Sequence, residues 1–194
     1  MRLLIVIPTI NNLNGVDYHR LLIPHNRMGQ VYSDVEVSVV NGLEAVADLN
    51  VFDLIIFNRL VNRNLKAIPE TMQRLYGHKF VVDMDDDYKL PHSHVMYKLH
   101  TLQNQAATII DGLNMAAGVI TTHEAMRQTL LTETKQKNIC VIPNAIDTNQ
   151  PQFKTVAKSE GPLHFGWSGS LTHFEDVLLI HDSLLSMYKS GEPF

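Results

Sequence analysis

The chain is poor in cysteine, with Cys140 the only one among 194 residues. One cysteine excludes a disulfide within the chain, and it fits a reducing compartment, so we expect a cytoplasmic protein. Because Cys140 lies in a short β-branched run, we also expect its side chain to belong to the core.

Long apolar runs and basic clusters are lacking as well. The apolar run within residues 2–8 is far shorter than the about 20 residues that a membrane span needs. The polar residues that follow it, without a small-residue cleavage site, argue against a secretion signal. The net charge is −4 and lysines and arginines are scattered, so the sequence gives no strong signal for nucleic acid or an anionic membrane.

What the chain does have is a 45% hydrophobic content, arranged as short aliphatic runs that alternate with segments of helical spacing. This alternation predicts the α/β class, with a Rossmann-like, mostly parallel sheet and helices on both faces. We expect strands at residues 2–8, 35–40, 52–57, 79–82, 118–121, 139–142 and 163–167. We expect helices at residues 16–28, interrupted or kinked at Pro24, and at 42–48, 64–77, 95–114, 124–132 and 174–188.

A polar connector at residues 150–162 predicts a domain boundary. It separates a Rossmann-like domain, residues 1–149, from residues 163–194, which offer one strand and one helix. Two such elements cannot form their own core, so we expect this segment to pack on the first domain or on a second copy of the chain.

Two segments have the pattern of a phosphate site, in which a strand is followed by a loop of small residues and a helix. In the first, Gly15 would let the backbone approach a diphosphate, and His19 and Arg20 would donate to it; the alternative is a plain turn and an exposed helix face. The second comprises Gly166, Ser168, Gly169 and Ser170, with His173 either a further donor or a residue with local contacts only.

The acidic run Asp83-Met84-Asp85-Asp86-Asp87 follows a predicted strand. Crowded carboxylates repel one another unless solvent, a cation or hydrogen bonds compensate. One interpretation is a metal site formed by Asp83, Asp85 and Asp87. Another is an acidic turn whose carboxylates accept backbone N–H groups at a helix start.

Three segments, in the right order along the chain, resemble glycosyltransferase family four, whose members have the GT-B fold. These segments are GVDYHRLLIP at 15–24, PNAID at 143–147, where Ala145 replaces the usual glycine, and GWSGSLTHFED at 166–176.

The resemblance implies transfer of a sugar, with retention, from a nucleotide-sugar to an acceptor that it does not identify. It gives the acidic run a third interpretation, in which Asp85 is the catalytic residue on the acceptor side. It assigns the diphosphate of the donor to Gly15, His19, Arg20, Gly166, Ser168, Gly169, Ser170 and His173.

In the family the nucleotide-sugar is a co-substrate, and no metal or other cofactor is generally needed. The resemblance further implies that the chain ends before most of the donor domain, so that the glutamate pair which grips the donor would lie beyond Phe194.

Two other functions stay open at the level of sequence. One is a non-catalytic binding or interaction module built on half of a glycosyltransferase. The other is a haloacid-dehalogenase-like phosphatase with Asp83 as nucleophile and Asp85 as acid and base, although no convincing series of partner residues follows.

Overall fold

The computed structural model describes residues 1–7, 15–59, 80–154, 166–167, 169 and 173–191. Its described strands form one parallel sheet of six strands in the order β2-β1-β3-β4-β5-β6. The chain is therefore an α/β protein with a Rossmann-like fold, as the sequence predicts. The strands are β1 (Arg2–Val6), β2 (Glu36–Val40), β3 (Leu54–Asn58), β4 (Phe80–Met84), β5 (Gly118–Thr121) and β6 (Ile139–Val141).

The central strands are aliphatic because both faces of the sheet are covered. Leu4 and Val6 of β1 belong to one core cluster, and Ile5 and Ile7 belong to a second cluster on the opposite face. Alternate side chains of a strand point to opposite faces, so a continuous aliphatic run suits a strand buried on both sides. This pattern is what made the strands predictable.

Four of the five described α-helices lie between strands, and the fifth follows β6; two of the predicted helices match closely. Residues 174–188 and 124–132 were expected to be helical, and the observed helices are slightly longer. The helices are α1 (Ile23–Val31), α2 (Tyr97–Leu102), α3 (Gln105–Met115), α4 (Glu124–Glu133) and α5 (Phe174–Ser190).

The single helix predicted over residues 95–114 is wrong, because α2 and α3 are separate. Asn104, between them, has φ of 52°, which is left-handed backbone. Asparagine adopts this conformation more readily than most residues, and a right-handed helix cannot continue through it. The helix predicted at 42–48 is also not observed; two 3₁₀ turns, Leu43–Ala45 and Leu49–Val51, take its place.

Pro24 does not end the first helix. A π-helical segment, Asp17–Leu22, runs directly into α1, and Pro24 lies in the first turn of α1. Proline has no N–H to donate, and a wider π turn before it is one way in which the backbone accommodates the loss. Leu21 of this segment is fully buried, so the segment is packed firmly on the sheet.

One further expectation about packing is wrong. Cys140 is exposed and not part of the core, because it lies on the edge strand β6. The packing of residues 163–194 on the rest of the chain or on a second copy stays a prediction. In α5, Leu179 and Tyr188 are 83% and 76% exposed, so the described residues leave most of both side chains uncovered.

Some predicted elements cannot be compared. The predicted helix at 64–77 and residues 163–165 of the last predicted strand lie outside the described residues, and Gly166 and Trp167 are not in a strand. None of the described helices has the length and apolar composition that crossing a membrane requires.

Candidate functional site

The carboxyl ends of the parallel strands meet at one edge of the sheet, and the polar residues of the first domain gather there. Asn58 ends β3, Asp83 and Asp85 lie at the end of β4, and Asn144 follows β6. The strand order reverses between β1 and β3, since β2 lies on one side of β1 and β3 on the other. In open α/β sheets this reversal opens a crevice where ligands bind.

Arg20 and Asp83 form a buried ion pair that holds the π-helical segment to the sheet. Arg20 Nε and Nη2 donate to the two carboxylate oxygens of Asp83 at 2.6 and 2.8 Å. The remaining terminal nitrogen, Nη1, donates to the carbonyl of Ile142 at 3.1 Å and to Oδ1 of Asn144 at 2.8 Å. One guanidinium thus connects β4, the end of β6 and the first helical segment. Four of its five N–H groups are engaged by these contacts.

Asp17, one turn before Arg20 on the helical segment, forms a second buried contact, with Asn58 at the end of β3. Asn58 Nδ2 donates to Asp17 Oδ1 at 2.5 Å, and the residues are 1% and 7% exposed. Burial raises the pKa of Asp17, while the hydrogen bond from Asn58 and the charge of Arg59 act in the opposite direction. Together with Arg20–Asp83, this contact fixes the rotation and height of the helical segment above the strand ends.

Asp85 lies just beyond β4, and its side chain is 13% exposed. Its Oδ1 atom is 3.2 Å from Nε of Arg59, yet it is buried and accepts no hydrogen bond. The contact between Arg59 and Asp85 is therefore an ion pair, because the two charged atoms are close but the N–H of Arg59 does not point at Oδ1. Burial raises the pKa of Asp85, and the charge of Arg59 partly opposes that effect. Oδ1 of Asp85 is therefore paired with the charge of Arg59, and it accepts no hydrogen bond from the described residues.

The rest of the acidic run has a structural role. Asp86 Oδ1 accepts the backbone N–H of Asp87, and Asp87 Oδ1 accepts that of Lys89. These bonds fit the turn interpretation for two of the four aspartates. Within the described ranges, no three His, Cys, Asp or Glu side chains are grouped so as to hold a metal ion. The aspartates of the run therefore have different roles. Asp86 and Asp87 hold a turn, Asp83 pairs with Arg20, and Asp85 lines the cleft.

A cleft of about 410 Å³ opens beside these groups. Its volume lies in the range of about 300–1,000 Å³ that is usual for ligand sites. His19 Nδ1 is buried and has no hydrogen-bond partner among the described residues, and the His19 ring lies 5.8 Å from that of Phe153. The wall thus offers unused polar atoms next to an aromatic face. The described residues that line the cleft are Gly15, Val16, His19, Arg20, Asp85, Asn144, Ala145, Ile146 and Phe153.

Four of the predicted site residues meet in this cleft, namely Gly15, His19, Arg20 and Asp85. At Gly15, apart from its chain neighbours, no atom of the described residues lies within 4 Å of where a Cβ would be, so the described part of the chain leaves room for a ligand there.

The second predicted group is not brought to the cleft by the described residues. Gly166, Gly169 and His173 are exposed and do not line it, and Ser168 and Ser170 lie outside the described residues. His173 Nδ1 is 2.8 Å from Asp176 Oδ2, a local contact in the first turn of α5.

Sequence reasoning missed Asp17, Asn144 and Phe153. Asn144 entered the sequence analysis only as part of the PNAID segment, and nothing in the sequence pairs it with Arg20. Asp17 lies three residues before Arg20, a spacing that places both on one face of a helix and was a usable signal. His123 begins α4, and its Nδ1 accepts the N–H of Met126.

No family model and no curated protein matches the chain. The class that fold and site define is an α/β protein with a Rossmann-like sheet and a polar cleft at its carboxyl edge.

Proposed function

We propose that the chain provides the acceptor side of a glycosyltransferase, which moves a sugar from a nucleotide-sugar to an acceptor. The observation that carries the proposal is that Gly15, His19 and Asp85 line one cleft beside the strand-order reversal. These residues come from segments about 70 residues apart in sequence. The sequence resemblance assigns Gly15 and His19 to the donor diphosphate and Asp85 to catalysis on the acceptor side. The proposal rests on that agreement between motif and geometry.

In this proposal Asp85 orients the acceptor. Asp85 lines the cleft, so its carboxylate can accept a hydrogen bond from the acceptor hydroxyl. The acceptor oxygen forms the new bond to the anomeric carbon as the bond to the diphosphate oxygen breaks. The diphosphate leaves with the electron pair, and the hydroxyl proton passes to Asp85, which already accepts it in a hydrogen bond. Holding the hydroxyl beside the anomeric carbon contributes to the rate, because orientation replaces a chance encounter.

Gly15 and Arg20 have different parts in the proposal. Gly15 lies in the helical backbone just before Asp17 and lines the cleft, and without a side chain it lets a phosphate oxygen approach the backbone closely. Arg20 has one N–H left after its contacts with Asp83, Ile142 and Asn144. Arg20 is therefore mainly a positioning residue, which holds the helical segment against β4. Only its remaining N–H, on Nη2, could donate directly to a phosphate.

The test is release of nucleoside diphosphate from a panel of nucleotide-sugars, with and without a mixture of sugar acceptors. We expect Asp85→Asn to lower acceptor-dependent release at least tenfold. Asp87→Asn is the matched control, because it removes a neighbouring carboxylate that only accepts the Lys89 N–H. Equal rates for the two variants, with measurable wild-type activity, would remove Asp85 from the mechanism.

A non-catalytic binding module is the second candidate. It is favoured by the absence of Gly166, Gly169 and His173 from the described lining of the cleft. Binding of a nucleotide-sugar without release of diphosphate would support it. The phosphatase alternative is disfavoured, because both oxygens of Asp83 are held by Arg20 and the residue is 2% exposed.

A further inference from the structure

A second, smaller cavity of about 220 Å³ lies behind the wall of the cleft. It is bounded by α1, by the end of β5 and by the chain that follows β6. His19, Arg20, Asn144 and Ala145 line both spaces and so separate them. The residues found only in the smaller cavity include Pro24, His25, Met28, Ile120, Ile142 and Pro143.

The polar groups beside the shared wall are largely paired. Arg20 donates to Asp83, to Asn144 and to the carbonyl of Ile142. Nδ1 of His19 is the one polar atom of this wall that is buried without a partner among the described residues. A ligand in the smaller cavity would therefore meet few unmet polar groups on this side. The other walls, from α1, β5 and the chain after β6, are largely apolar.

His25 is the exception, because one of its ring nitrogens remains available. Its Nδ1 lies 2.7 Å from the carbonyl oxygen of Leu21. A carbonyl oxygen only accepts, so Nδ1 carries the hydrogen, and Nε2 of the neutral ring is an acceptor. Burial lowers the pKa of His25, which favours the neutral ring. No contact of Nε2 is found among the described residues.

We propose that this cavity binds a neutral apolar ring that carries one hydrogen-bond donor, of the size of phenol or indole. The apolar walls take the ring, and His25 Nε2 accepts the donor. An apolar cavity of about 150 Å³ holds a benzene molecule, so the 220 Å³ observed here leaves room for a ring with one substituent. The site is separate from the proposed transfer reaction and does not depend on it.

The experiment is titration of the full chain, labelled with ¹⁵N, with phenol and with toluene. The two probes are similar in size, and only phenol has a donor. We expect saturable shifts for phenol in residues 19–28 and 142–145, with affinity about threefold to tenfold above that for toluene, the range one neutral hydrogen bond gives. In His25→Phe this preference should disappear while toluene still binds.

Two tryptophan variants provide the matched control. Met28→Trp fills the smaller cavity and should abolish the phenol shifts, whereas Val16→Trp fills only the larger cleft and should leave them unchanged. Folding of each variant is checked by circular dichroism, and the His25→Phe comparison decides the matter if Met28→Trp does not fold. Shifts that do not saturate, equal affinity for the two probes, or loss of binding in Val16→Trp alone would each overturn the proposal.

Discussion

Replacing Arg20 by methionine should destabilise the protein more than almost any other single change at the carboxyl edge. The side chains of Arg20 and Asp83 are 5% and 3% exposed, so the substitution leaves a buried carboxylate without its partner. Breaking a buried ion pair from one side costs about 3–5 kcal/mol, because the remaining charge keeps its desolvation cost. The loss should lie at the upper end, since Ile142 O and Asn144 Oδ1 lose their donor as well.

The magnitude can be measured by thermal and urea unfolding, followed by circular dichroism. A loss of about 3–5 kcal/mol lowers Tm by about 6–20 °C for a chain of this size. The double variant Arg20→Met, Asp83→Leu should recover much of this loss, because an apolar pair of similar volume needs no partner charge. A loss below about 1 kcal/mol for Arg20→Met, or a double variant no more stable than the single one, would refute the reasoning.

Three further outcomes follow from burial and charge. The pKa of Asp17 is raised in the folded state, so the folded state holds more protons than the unfolded state above the ordinary value of about 3.9. Stability therefore falls as pH rises through that window, and Asp17→Asn should make the fall shallower in urea unfolding at several pH values; an unchanged slope contradicts this. The pKa of His25 is lowered, so stability falls as pH drops below about 6.5, and His25→Phe should lessen this acid sensitivity. Wild type and variant with equal loss between pH 6.5 and 5, roughly the range in which a histidine titrates, would argue against a buried neutral ring. Because Leu179 is 83% exposed, Leu179→Gln should change the free energy of unfolding by less than about 0.5 kcal/mol. A larger loss that grows with protein concentration would indicate that a second copy covers α5.

Much of the sheet could be predicted from sequence, for a physical reason. The strands are short aliphatic runs buried on both faces, and each of the six described strands lies within two residues of its predicted bounds. The helices were harder, because local conformation overrides apolar spacing. Asn104 interrupts a continuous helical pattern by adopting left-handed backbone, and Pro24 is accommodated by a π turn.

The candidate site was predictable only in part. Gly15, His19 and Asp85 could be assigned to one edge, because loops after parallel strands emerge on the same side of a sheet. The contacts that position them could not, since Arg20 and Asp83 are 63 residues apart in sequence and Asp17 and Asn58 are 41 apart. Which residues form these pairs is decided by how the helical segment packs over β3 and β4, and the sequence does not show that packing. The donor-side loop around Gly166 remains a sequence prediction.

The central claim is that the cleft at the carboxyl edge binds a nucleotide-sugar. Its most direct measurement is chemical-shift mapping of the full ¹⁵N-labelled chain with a nucleoside diphosphate and then with the corresponding nucleotide-sugar. We predict saturable shifts at Gly15, His19 and Asp85, which Asp87→Asn leaves in place. Shifts confined to the opposite edge of the sheet, near Arg2 and Gly118, or no saturable shift with any nucleotide, would contradict the account.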